Sequence, residues 1–193
     1  MPFDFSRYFH NIAITLKEIA HADQTESNHS NHSNESTHID SHRTIRKFHR
    51  VSGVTQLEEL LQNLILTNDT GYQLVIEDNL DSRFFYNAST LLDSQFYVFY
   101  VLKRCKINDF ADIEQAKEGC KSVLKKILSK MFRDYDADHI MQTANVNGLR
   151  AFQKNSITIQ TIGPLADNYW GLICSFTLSD NPGIKFNPAD WLP

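Results

Sequence analysis

The chain has 193 residues, 41% of them hydrophobic, with thirteen phenylalanines, enough for one packed domain with an appendage. A formal charge of −4 and a pI near 6.0 argue against a protein that coats a nucleic-acid backbone, which needs a dense basic surface. No uncharged apolar run approaches the roughly 20 residues needed to cross a bilayer. The opening MPFDFSRYFHNIAITLKEI lacks the basic start and clean apolar core of a secretion signal, so synthesis in a reducing cytoplasm is expected.

The first element is an amphipathic helix over about 5–21. Phe5, Phe9, Ile12, Leu16 and Ile19 recur at helical spacing, Ala13 and Ile14 widen the stripe, and Asp4 or Ser6 caps its start. Residues 22–46 then form a low-complexity Asn/Ser/His linker with almost no apolar residue before Ile39. Such a composition buries too little surface to offset the entropy of ordering it. Phe48 and Val51 mark the return of an extended, packed chain.

A second helix is announced by Thr55 with Glu58 three residues later, a capping box, and by the apolar face of Leu57, Leu60, Leu61, Leu64 and Ile65. NDTG at 68–71 stops it. YQLVIED (72–78) is a strand, DNLDS a turn, and RFFYN a short extended piece. SQFYVFYVLKRC (94–105) carries apolar residues on both parities, which suits a strand covered on both faces, or one whose second face meets a neighbouring subunit. A long helix follows over about 110–133, with one apolar stripe and acids early and lysines late, in accord with the helix dipole. Residues 134–154 look polar and irregular. SITIQTIG (156–163) and YWGLICSFTLS (169–179) flank the turn-like PLADN and predict a hairpin. Residues 181–193 make a proline-rich tail. Consecutive strands without intervening helices predict an α+β fold, with a mainly antiparallel sheet packed by two or three helices and a core domain over 47–180.

The linker holds His29, His32, Glu35, His38 and His42, residue types that bind zinc, nickel or copper. At roughly 100° per residue they drift around a helix axis, and Ser and Asn disfavour a helix there. A spacer is the leading reading and a metal- or ligand-binding segment the alternative. The sequons at Asn28, Asn31, Asn34, Asn68 and Asn87 have no secretory route to make them meaningful. Asp134, Asp136 and Asp138 have the first spacings of a calcium loop. His139 stands where glycine is needed and Asn145 where glutamate is needed, so an acidic surface loop is expected. Cys105, Cys120 and Cys174 are widely spaced in apolar segments and are read as buried thiols. Glu77, Asp78 and Asp81 with His139 would be the parts of a dispersed hydrolase site, but nothing in the sequence brings them together. Glycine-rich nucleotide loops and the nucleophile elbow are missing from the sequence. The lysine face of the long helix (Lys121, Lys125, Lys126, Lys130, Arg133) is read as solvated.

LKEIAH at 16–21, FRDYDAD at 132–138, NGLR at 147–150 and QTIGPLADNYWGLICSFTLSDNP at 160–182 resemble stretches of tail-completion and tail-terminator proteins, and related head–tail connectors, of tailed phages. That resemblance is architectural and covers most of residues 44–180. It implies a structural subunit made in a bacterial host's cytoplasm that forms a homo-oligomeric ring with other neck or tail proteins. It also implies no catalysis, no cofactor, no membrane, and nucleic acid at most passing through the assembly. A ring would use aromatic anchors. Phe5, Phe9 and Ile12 in the first helix, with Trp170 and Trp191, are the contacts expected.

Overall fold

In the computed structural model, residues 3–17, 19, 47–66, 71–87, 90–140, 148–166 and 168–180 are described. The linker over 22–46 and the tail over 181–193 lie outside the described residues. The elements are α1 (Phe5–Thr15), β1 (Phe48–Val51), α2 (Val54–Leu66), β2 (Tyr72–Asn87), β3 (Thr90–Arg104), α3 (Phe110–Ile140), β4 (Phe152–Leu165) and β5 (Tyr169–Asp180), with a 3-10 turn at Leu149–Ala151.

The class is α+β. A five-stranded sheet runs in the order β1-β2-β3-β5-β4. β1 and β2 are parallel and joined by α2, and every other pair is antiparallel. β4 and β5 form the expected hairpin, which returns so that β5 lies between β3 and β4.

The two parities of β3 feed two hydrophobic clusters. Tyr97, Phe99 and Val101 meet α1 and α3 on one face, with Phe176 and Cys174 from β5 beside them. Tyr100 and Leu102 meet Leu57, Leu61 and Leu64 of α2 on the other. The first cluster is aromatic: Phe9 lies 4.8 Å from Phe5 and 4.7 Å from Phe99, ring centre to ring centre. Gly171 of β5 is required by the packing of the sheet, because a Cβ there would collide with the Val101 carbonyl oxygen on β3.

Four boundaries differ from expectation, each for a physical reason. The first helix stops at Thr15 because Leu16 turns extended, its N–H still bonding the Ile12 carbonyl, while the Thr15 hydroxyl donates back to the Asn11 carbonyl. Asp4 caps its start by accepting the Arg7 N–H at 2.9 Å, and Ile14 points to solvent rather than widening the stripe. In α2 the expected Thr55–Glu58 box is replaced by Gln56, whose Oε1 accepts the Ser52 N–H at 2.8 Å. The DNLDS turn is instead a bulge inside one long strand. Glu77 pairs with Val98 and Asp81 with Phe96, so the breaker residues are absorbed without ending the ladder.

The largest correction concerns 134–154. DYDADHI is helical and forms the last turns of α3, and β4 begins at Phe152. Asp134 and Asp138 continue the helix because their carboxylates turn inward to partners, while Asp136 stays on its exposed face. The expected acidic surface loop is not formed.

Candidate functional site

Asp134 and Asp138, four residues apart on α3, are both buried. Tyr8 of α1 donates its hydroxyl to Asp134 Oδ2 at 2.8 Å, and Lys130 Nζ donates to the same oxygen at 2.6 Å. Arg133 Nε lies 3.6 Å from Asp134 Oδ1. Asp138 Oδ2 accepts the Leu149 N–H at 3.0 Å, which ties the chain beyond α3 back to the helix. Burial first, and then the bond to Asp134 and its charge, push the Tyr8 hydroxyl pKa well above the ordinary tyrosine value. These carboxylates are committed to joining α1 and the 149–151 turn to α3. Asp136, outside the pair, takes Lys154 at 2.8 Å.

The residues of the dispersed hydrolase reading are not brought together. Glu77 accepts the Tyr100 hydroxyl at 2.7 Å on the α2 face of the sheet. Asp78 pairs with Arg50. His139 stacks on Tyr135, with ring centres 4.2 Å apart, on α3 across the sheet. The three cysteines are buried free thiols, with those of Cys120 and Cys174 pushed up to about 12, by burial first in both. Among the described residues no cluster of His, Cys, Asp and Glu is placed to hold a metal, and no helix is long and apolar enough to cross a membrane. His29, His32, Glu35, His38 and His42 lie outside the described residues.

A cleft of about 910 Å³ opens between α1, β1 and α2. Its described walls carry Arg7, His10, His49 and Arg50. His49 Nε2 lies 3.1 Å from Gln73 Oε1, the His10 ring packs edge-on to Phe48 at 5.5 Å, and Arg50 is held by Asp78. His49 and Arg50 thus tie β1 to β2, and His10 ties it to α1.

The expected contact residues fall in different places. Phe5, Phe9 and Ile12 are 8%, 0% and 1% exposed, inside the chain's own aromatic cluster. Contact with a neighbour through them would require α1 to leave this seat. Trp170 is half-buried on the α3 face, with Lys117 Nζ 4.8 Å from its ring centre, and Gly163 (φ 131°) passes where a Cβ would strike the indole. Trp191 lies outside the described residues.

The apolar surface left open is elsewhere. At 13 residues α2 is about 20 Å long, whereas the 15 residues of β3 extend about 50 Å. The helix therefore covers Tyr100 and Leu102, with Ile173 and Ile162 half-buried at their level, and leaves Phe96, farther along the strand opposite Thr177, 43% exposed with Val98 half-buried next to it. Phe84, on the projecting β2–β3 hairpin, is 52% exposed. In sequence these phenylalanines look like their buried neighbours. The signal available was the mismatch between a short helix and a long strand.

No family model matches the chain, and no curated protein and no solved structure is significantly similar to it.

Proposed function

We propose that this chain is a structural assembly protein, a neck or tail subunit of a virion or contractile machine that forms a homo-oligomeric ring capping or joining tail and head. The observation that carries the assembly reading is the uncovered tract of sheet around Phe96, a two-sided strand with helical cover over only part of one face. Exposed aromatic and aliphatic side chains on a rigid sheet are what an interface anchor needs, because little entropy is lost when they are covered. The place in a neck or tail, the partner neck and tail proteins and the host-cytoplasmic origin rest on the resemblance of residues 44–180 to tail-completion and connector subunits. Function in this reading comes from shape and interface burial, with no bond chemistry, and nucleic acid at most passes through the lumen.

The test is molar mass in solution combined with particle imaging of the full chain. A closed ring of discrete mass is expected, and Phe96→Ser, at an exposed site, should shift the population to smaller species while the circular dichroism stays unchanged. A monodisperse monomer at high concentration, with no ring in images, would overturn the reading.

A further inference from the structure

The free edge of β4 and the α3 face beside it make a self-complementary surface. Among the described residues β4 is the last strand of the sheet and is hydrogen-bonded to β5 alone. Edge strands normally discourage pairing with charge, proline or a bulge. Here the run from Asn155 to Gly163 has neither charge nor proline. The ladder irregularities lie on either side, between Gln153 and Thr158 and between Ile162 and Leu165, so Thr158–Ile162 is regular, and Thr158, Ile159, Gln160 and Thr161 are exposed.

Ile159 is 47% exposed and shares a groove of about 450 Å³ with Leu124, Leu128 and Leu172. The α3 lip of that groove carries Glu114, Lys117, Glu118, Lys121 and Lys125; Lys117 is set to one side, over the Trp170 ring, and the other four form a stripe. Spacings of four, three and four residues keep them within about 60° on a helix that turns about 100° per residue. The order is acid, acid, base, base. The midpoint between Glu114 and Lys125 is also the midpoint between Glu118 and Lys121, so the stripe is its own complement when inverted.

We infer that two copies of this chain associate about a two-fold axis at this edge, β4 antiparallel to β4 and α3 antiparallel to α3. The axis, normal to the sheet, places both α3 helices on one side. Glu114 then faces the second copy's Lys125, and Glu118 the second copy's Lys121, through long side chains that reach across the groove. Ile159 leaves solvent, and the outward N–H and C=O groups of β4 gain partners. Within one chain Glu114 already bonds the half-buried Lys117 at 2.8 Å and Glu118 lies 3.4 Å from Lys121, and both glutamates and Lys121 are exposed enough to be shared. The contact closes with two copies and lies away from the Phe96 tract, which is on the opposite face of the sheet. A ring built on the Phe96 tract therefore neither requires nor excludes it.

The experiment is sedimentation of the full chain at low salt, as wild type, E114K/E118K, K121E/K125E, and a 1:1 mixture of the two variants. Each variant alone should associate at least about tenfold more weakly than wild type, because four attractive contacts become repulsive. The mixture should recover wild-type affinity, since one stripe is then all lysine and the other all glutamate. Ile159→Lys should abolish the dimer, and added salt should weaken it. Circular dichroism checks that the exposed substitutions leave the fold intact. A wild type without a dimer, variants that associate as wild type does, or a folded mixture that stays monomeric would overturn the inference. So would a ring whose subunit contacts pair β4 with a different strand.

Discussion

Phe9→Ala tests whether α1 belongs to the core of its own chain. The Phe9 side chain is 0% exposed and sits among Phe5, Tyr8, Phe99 and Phe176, with ring centres 4.7–6.3 Å away. Truncating a phenylalanine in such a site costs about 3–5 kcal/mol, from lost transfer energy and the cavity left behind. For a chain of this size that lowers the melting temperature by about 6–20 °C, and it removes a large part of a total stability of about 5–15 kcal/mol. Urea denaturation followed by far-ultraviolet circular dichroism measures the loss, and it should be run at two protein concentrations. The same loss is expected at both. A loss below about 1 kcal/mol would show that α1 is not packed as described. A loss that grows on dilution would place α1 on a neighbouring subunit instead.

Tyr8→Phe removes one hydrogen bond to a buried carboxylate that keeps Lys130, and should cost about 1.5–3 kcal/mol in the same denaturation assay. An unchanged urea midpoint would refute the role given to that bond. Gly171→Ala drives a methyl group into the β3 backbone and should yield chain that is insoluble or melts far below wild type, whereas a normal melting curve would show that β3 and β5 pack otherwise. Stability should also fall in alkali. Burial holds the thiols of Cys120 and Cys174 at about 12 against an ordinary 9.0, and the Tyr97 hydroxyl at about 12 against 10.0. The folded state therefore keeps protons that the unfolded chain releases. This contribution is whole below about pH 9 and drains away as pH rises toward 12, so urea midpoints measured across that range should decline. A flat profile would contradict the burial of these groups.

The parts of the fold legible in the sequence were those set by local pattern. The single apolar stripe of α3, the β4–β5 hairpin and the double parity of β3 each showed in a short window, and the double parity implied cover on two faces. The parts missed depend on partners distant in sequence. Asp134 and Asp138 looked like solvated loop acids because the groups that bury them, the Tyr8 hydroxyl and the Leu149 N–H, cannot be located from DYDADH itself. DNLDS looked like a turn because its composition is a turn's. Only the continued pairing of Phe96 with Asp81 makes it a bulge. The surface divides in the same way. Phe96 and Phe99 are indistinguishable as letters, and their different exposures follow from where α2 ends.

The seat of α1 beside β1, with His10 edge-on to Phe48, has a consequence for the chain that joins them. α1 ends at Thr15 and β1 begins at Phe48, and Ile14, Ile19, Phe48 and His49 line one cleft, so the described residues on either side of the connection lie near each other. Each doubling of a loop's length costs only about 0.6 kcal/mol in closure entropy. The stretch between the two elements is therefore a permissive insertion point. A guest domain whose own termini lie close together could be spliced in after the buried Ile19 and before Phe48, leaving both hydrophobic clusters in place.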